Sequence, residues 1–292
     1  GTELVLKTDP VAEGVHFLAS DAPEDVAWKA LAVNISDLAA KAATPIGYLM
    51  ALSFPTAPSA DWLAAFARGL QQAQETFGCH LMGGDTDRRP GPVTITITAV
   101  GWVPQGRMVR RSTARAGDCV FVSGSIGDAA LGLRLRRDPG LSSGWGLSAG
   151  EAQHLHQRYL RPQPRLDLAE ALREHASAAM DISDGLAKDL GRMCRASGCG
   201  GRVRTADLPL SPACAKALAA DAGLLEAIVG GGDDYEILAA VPAERASGFV
   251  ASAARAGIAV AGIGTLADGS EVIIEGPDGR PMSLQSTGWD HF

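Results

Sequence analysis

Residues 92–103, PVTITITAVGWV, alternate threonine and isoleucine over 94–98. Successive side chains of a strand point to opposite faces, so a period of two fixes which face is buried. The isoleucines go to a core, while the threonine face is polar or covered by a partner. A chain with such a strand must fold around a sheet packed on one face, and the neighbouring segments supply the packing. ELVLK (3–7) and GYLMALSF (47–54) are apolar and strand-like, and a short strand leads into GGDTD (83–87). Residues 24–42 predict a helix, with Asp21 and Pro23 near its start and Pro45 beyond its end. Residues 59–78 predict a second, capped by Ser59 and stopped by Gly78. Two helices and four strands in this order predict an α+β layer.

GRMVRRSTARAGD (106–118) is basic and glycine-flanked, and reads as a connection. Beyond it the expected elements are a strand at 118–124, a helix near 127–137 and a Gly/Ser-rich loop at 138–150. A helix near 150–160 follows, and MDIS (180–183) leads into a helix at about 184–197. A strand at 234–241, a helix near 242–256 and a strand at 258–264 complete the pattern. The expected fold class is α/β (α+β) with two domains, 1–112 and 113–292. At 292 residues and 46% hydrophobic, the chain has apolar material for two cores. A net charge of −7 argues against nucleic acid or an anionic membrane surface as partner. No apolar run approaches the roughly 20 residues of a membrane span, and no signal peptide is recognisable, so a cytoplasmic protein is expected. Five cysteines, odd in number and without zinc-site spacing, are expected to be reduced, mostly core residues.

Against this scaffold stand three separated acidic signatures: GGDTD (83–87), MDISDGL (180–186) and GGGDDYE (230–236). KTDP (7–10) and NISDLAA (34–40) add two more. Mg²⁺ takes oxygen ligands and is commonly held by a few carboxylates plus substrate phosphates, so dispersed carboxylates of this kind point to metal-dependent phosphoryl transfer. Each motif also has a plainer reading. Gly83 and Gly84 before Asp85 suit an ordinary turn as well as a phosphate-binding loop. Ser183 or Asp184 can simply cap a helix, whereas Asp181 at a strand end is not needed for that. The triple glycine reads best as a loop closely approached by ligand, with Asp233 or Asp234 facing it. Ala30, Asn34, Asp37 and Lys41 share one helix face beside the apolar stripe Leu31, Ile35 and Leu38, a pattern that fits a solvated face. Neither a P-loop, nor a protein-kinase catalytic set, nor a G-x-S-x-G elbow is present.

Together, TDPVAEGVHF, NISDLAAKAATP, GGDTD, GRMVRRS, MDISDGL, GGDDYE and the closing GWDHF resemble the thiamine-monophosphate kinase family, in its order and over nearly the whole chain. The resemblance implies an N-terminal sheet domain that dimerises through its strands and a C-terminal α/β domain. It implies ATP-dependent conversion of thiamine monophosphate to thiamine diphosphate by direct transfer, with several Mg²⁺ ions and a homodimer. By the same resemblance Thr8, Asp9, Asp37, Asp85, Asp181 and Asp184 are metal ligands. Gly84, Asp85, Arg111 and Ser183 contact ATP, and His16, Asp233 and Trp289 line the substrate pocket. The family's upstream Gly-Asp-Asp loop is absent, which leads to the expectation that this stretch alone cannot assemble the full metal set. Lys7 stands where relatives commonly carry a small hydroxyl residue, and Asp233 replaces the usual glutamate.

Overall fold

The computed structural model describes residues 1–284 and 286–289. Its first unit runs β1 (Thr2–Ala12), α1 (Pro23–Ala40), β2 (Thr44–Phe54), α2 (Ala60–Phe77), β3 (His80–Arg88) and β4 (Thr94–Pro104). The strands form one sheet in the order β1-β4-β2-β3, antiparallel except for the parallel β2–β3 pair. β4 is the predicted alternating strand. Ile95 and Ile97 are fully buried against the helices, while Thr96, Thr98, Val100 and Trp102 share the other face. That outer face also carries Leu4 (69% exposed), Leu6 (66%) and Leu49 (48%), so it is more apolar than the threonines alone suggested.

Helix α2 follows its local signals. The Ser59 hydroxyl accepts the Trp62 N–H at 3.1 Å, and Gly78 ends the helix with φ 66° in the left-handed region that favours glycine. Helix α1 begins with Pro23 in its first turn and is buried almost all round, Asn34 included. The solvated face expected for Ala30, Asn34, Asp37 and Lys41 is therefore not observed: α1 is wedged between its own sheet and the second unit. Ala39 and Ala40 at its end pack with Phe121, Leu172 and Phe249 of that unit.

The second unit comprises β5 (Cys119–Ser123), α3 (Asp128–Arg137), α4 (Leu141–Gly144), α5 (Ala149–Leu160), α6 (Ala169–His175) and β6 (Ala178–Asp181). It continues with α7 (Leu186–Ser197), β7 (Gly200–Arg204), α8 (Pro212–Ala220), α9 (Leu224–Gly230), β8 (Ile237–Val241), α10 (Ala246–Arg255), β9 (Val260–Ala267) and β10 (Val272–Glu275). Its sheet has the order β10-β7-β9-β5-β8-β6, with only the β10–β7 pair parallel. The short elements α4, α6, α8, α9, β7 and β10 were not anticipated, since few-residue segments carry too little periodicity to register. Four cysteines are buried and Cys119 is half-buried, all as free thiols. Among the described residues no helix is long and apolar enough to cross a membrane.

Candidate active site

Strand β1 runs through KTDP, and its alternation divides the predicted ligands. Lys7 and Asp9 project to the helix-covered face, opposite Ala99 and Ile97 of β4. Thr8 projects to the outer face, where its hydroxyl accepts that of Thr98 at 3.0 Å. Asp85 pairs with Ala51 and also lies outward, exposed, accepting the Thr86 N–H at 2.8 Å. GGDTD is thus part of a continuous edge strand, not a turn. Gly84 is required because a Cβ there would stand 1.9 Å from the Met50 carbonyl of β2.

On the covered face, the Asn34 side chain of α1 accepts the backbone N–H of Asp9 at 2.9 Å and donates to the Ala30 carbonyl at 3.0 Å. One turn along, Asp37 reaches the same spot. The Lys7 ammonium bridges the two acids, 2.8 Å from Asp9 and 2.7 Å from Asp37. These carboxylates raise the Lys7 pKa despite the cost of partial burial. Asp181, the last residue of β6, comes in from the second sheet. Burial, and then the like charge of Asp37, push its pKa well above the usual carboxylate range. Lys41 shifts the other way: burial lowers its pKa, partly offset by Asp37 and Asp181, and its ammonium donates to the Ala179 carbonyl at 3.3 Å.

MDISDGL continues the site. Neither Ser183 nor Asp184 caps α7 by its side chain. Asp189 instead accepts the N–H groups of both, at 3.0 and 2.9 Å, which fixes the turn of their loop. Arg192 pairs with Asp184 at 2.5 Å and Asp189 at 2.7 Å. Arg111 lies with Arg192 and Arg195 around a basic cavity of about 350 Å³. A second cavity of about 380 Å³ on the connection, lined by Arg107, Arg110 and Arg173 among others, holds none of the predicted residues.

The third motif packs directly on the second. A Cβ on Gly232 would lie 2.3 Å from the Ser183 carbonyl. The bare glycine lets the Asp233 N–H reach that carbonyl at 2.9 Å, and the Tyr235 N–H reach Ile182 at 2.8 Å. The triple glycine thus serves approach between two motifs. Asp233 and Tyr235 both hold positive φ, at 69° and 49°. Burial separates Asp233 from Asp234: Asp234 is 1% exposed and accepts the Gly127 N–H with both oxygens, at 3.0 and 3.1 Å. Asp233 is half-buried, accepting from the buried Lys29 ammonium of α1 at 2.8 Å and from the Tyr235 hydroxyl at 3.1 Å.

That ammonium also sits 3.7 Å above the centre of the Tyr159 ring. The Tyr159 hydroxyl donates to the His16 carbonyl at 3.3 Å, and His16 Nδ1 accepts the Ala12 N–H at 3.0 Å, so His16 and Asp233 belong to one connected group. Trp289 is half exposed, and its N–H donates to the Asp184 carbonyl at 2.9 Å. The rest of GWDHF, residues 290–292, lies outside the described residues. Lys29, Tyr159 and Tyr235 were missed from sequence. For Lys29 a signal existed, a lysine inside the apolar run VAWKALAV, where an unpaired ammonium would be costly to bury.

Among the described residues no group of three His, Cys, Asp or Glu side chains is close enough to hold one ion. The chemistry of the cluster nevertheless suits a hard cation. Asp181 is buried and feels the like charge of the half-buried Asp37, with the buried Ser36 hydroxyl beside it.

Residues 1–103 match the N-terminal domain, and residues 115–276 the C-terminal domain, of AIR synthase related protein. The thiamine-monophosphate kinase of Caulobacter vibrioides is 40% identical over 294 residues, covering 100% of this chain and 81% of its own. That of Salmonella typhimurium is 39% identical over 289 residues, covering 99% and 86%. Among solved structures, thiamine-monophosphate kinase of Stenotrophomonas maltophilia superposes with a TM-score of 0.87 at 37% identity, covering 96% of this chain and 87% of that one. AaThiL complexed with AMPPCP and TMP superposes with a TM-score of 0.85 at 33% identity, covering 100% and 88%. The split cluster of carboxylates, the basic cavity and the Lys29–Asp233 pair thus lie on the fold of known phosphotransferases, and this chain belongs to the thiamine-monophosphate kinase family.

Proposed function

We propose that the chain transfers the γ-phosphoryl group of ATP in line to thiamine monophosphate, giving ADP and thiamine diphosphate without a phospho-enzyme. The observation that carries this reading is the joining of two groups by α1 and by the packing of the DDYE loop on Ile182 and Ser183: Asp9, Asp37 and Asp181 on one side, Lys29 and Asp233 on the other. Burial first, and then the charges of Asp233, Asp181 and Asp9, push the Tyr235 phenol well above its usual pKa. Substrate and polyphosphate sites so close together suit direct transfer.

Asp9, Asp37, Asp181 and Asp184 would hold Mg²⁺, and bound Mg²⁺ supplies charge neutralisation between the two polyanions. Arg111 takes ATP phosphate oxygens, with Arg192 and Arg195 beside it, and Ser183 offers its hydroxyl at the same edge. Asp233, held by Lys29 and Tyr235, accepts a hydrogen bond from the aminopyrimidine, while His16 and Trp289 close the pocket. Trp289 would supply an aromatic ring to stack on a cationic thiazolium. A strong base is unnecessary, because a phosphate monoester acceptor is already largely ionised near neutral pH.

Thr8, Gly84 and Asp85 act from the outer face and the edge of the first sheet. The apolar area around Leu4, Leu6 and Leu49 supports a homodimer formed there, which would bring these residues into the interface. The two domains meet in the connection, at 112/113, and the enzyme works in the cytoplasm.

The test is product analysis with Mg-ATP and thiamine monophosphate. Equal amounts of ADP and thiamine diphosphate are expected, with loss of both in Asp9→Asn. ADP formed without thiamine diphosphate would reject the acceptor, and ATP binding without turnover would reject the kinase.

A further inference from the structure

The place between Asp9 and Asp37 is filled by the chain itself. Lys7 Nζ lies 2.8 Å from one carboxylate and 2.7 Å from the other, and its side chain is only 28% exposed. An ion bridging both carboxylates, at the roughly 2.0–2.1 Å typical of Mg²⁺, would take the place between them that the ammonium now fills, and its charge repels the ammonium. Ion and ammonium therefore exclude each other. Backbone motion does not relieve the competition. β1 is fixed residue by residue to β4, with Lys7 opposite Ala99 and Asp9 opposite Ile97, and Asn34 holds the Asp9 N–H. Lys7 stands two residues before Asp9 on the same face, so its ammonium stays at high local concentration however often it leaves.

We propose that Lys7 is a resident cation of the site, holding Asp9 and Asp37 together in the metal-free enzyme and yielding its place when a divalent ion binds both. This rests on the reading of Asp9 and Asp37 as metal ligands given above. It adds that their affinity is set by a competitor built into the chain. Lys7 is on this account a positioning residue: it touches neither substrate nor the transferred group, and acts through the two acids. Without nucleotide, it keeps the pair from binding divalent ions tightly. Without Lys7, the two carboxylates repel across the gap until an ion fills it.

The experiment measures Mn²⁺ binding to the full-length protein without nucleotide, by the free-ion electron paramagnetic resonance signal, in wild type and Lys7→Gln. Glutamine keeps most of the stem and removes the charge. The expected result is roughly 2- to 30-fold tighter Mn²⁺ binding by Lys7→Gln, the range given by two partly exposed ion pairs. A lower melting temperature in chelator, restored by Mn²⁺, should accompany it. Lys7→Arg, which keeps the charge, should bind Mn²⁺ no tighter than wild type and covers the case in which the glutamine variant folds poorly. Equal Mn²⁺ affinity in Lys7→Gln and wild type overturns the proposal, as does tighter binding by Lys7→Arg. Adding Asp37→Asn separates the two claims. If it removes Mn²⁺ binding while Lys7→Gln changes nothing, only the resident cation fails. If Mn²⁺ binding is indifferent to Asp37, the metal-ligand reading fails with it.

Discussion

Asp233, Asp234, Tyr235 and Glu236 are consecutive, and each does something different. Asp233 meets Lys29, Asp234 holds the Gly127 N–H, and Tyr235 supports Asp233. Glu236 is fully buried, accepting from Ser123 at 2.6 Å and from Arg158 and Arg165, each at 2.7 Å. Breaking a buried ion pair leaves an uncompensated charge, so Glu236→Gln should lower stability by about 3–5 kcal/mol in denaturant unfolding. Asp181 behaves in the opposite sense. Its folded-state pKa lies above the ordinary 3.8, chiefly through burial. In the window above that ordinary value the folded form binds more protons than the unfolded, so stability falls as pH rises through it. Asp181→Asn should therefore raise the melting temperature of metal-free protein at pH 8 and flatten its pH dependence. Its turnover should drop by at least about a hundredfold, the scale of one lost preorganised electrostatic contact. A residue with no functional demand on its charge would not show that trade.

At the scale of elements, α1 organises the site. Asn34 and Asp37 serve strand β1, Lys29 serves the DDYE loop, and Lys41, just past its end, donates to β6, so one helix and its cap align three pieces of chain. Its burial on nearly every side follows from this, and explains why the pattern of a single apolar stripe underestimated it. The loop Gly230–Gly231–Gly232 is the other positioning element. Gly232→Ala puts a methyl 2.3 Å from the Ser183 carbonyl, and backbone must shift to make room. The variant should fold, retain its circular dichroism spectrum and lose roughly tenfold or more in kcat/KM, because ångström-scale misplacement is costly to oriented transfer. Unchanged kinetics would mean the two motifs need not touch.

For the whole molecule, the open question of packing lies on the outer face of the first sheet. Leu4 and Leu6 are exposed there beside Trp102, and Leu49 follows across the ladder. If two copies meet on this face, the double variant Leu4→Lys, Leu6→Lys should elute as a monomer by light-scattering-coupled chromatography, with a folded spectrum. A dimer that survives both lysines would place the interface elsewhere.

Much of the fold was readable along the chain because it rests on local rules. The Thr/Ile period set the buried face of β4, Ser59 and Gly78 bounded α2, and the order of strands and helices gave the first layer. The acidic motifs, too, announced a phosphotransferase through residue type and spacing alone. What tertiary structure decided was which of these groups meet. The alternation of β1 sends Thr8 and Asp9 to opposite faces, and only the sheet's register sends Asp85 outward with Thr8. Burial separated Asp233 from Asp234, and a lysine 204 residues away in sequence became its partner. Sequence carries the periodicities of single elements, whereas contact, desolvation and charge pairing belong to segments brought together by packing.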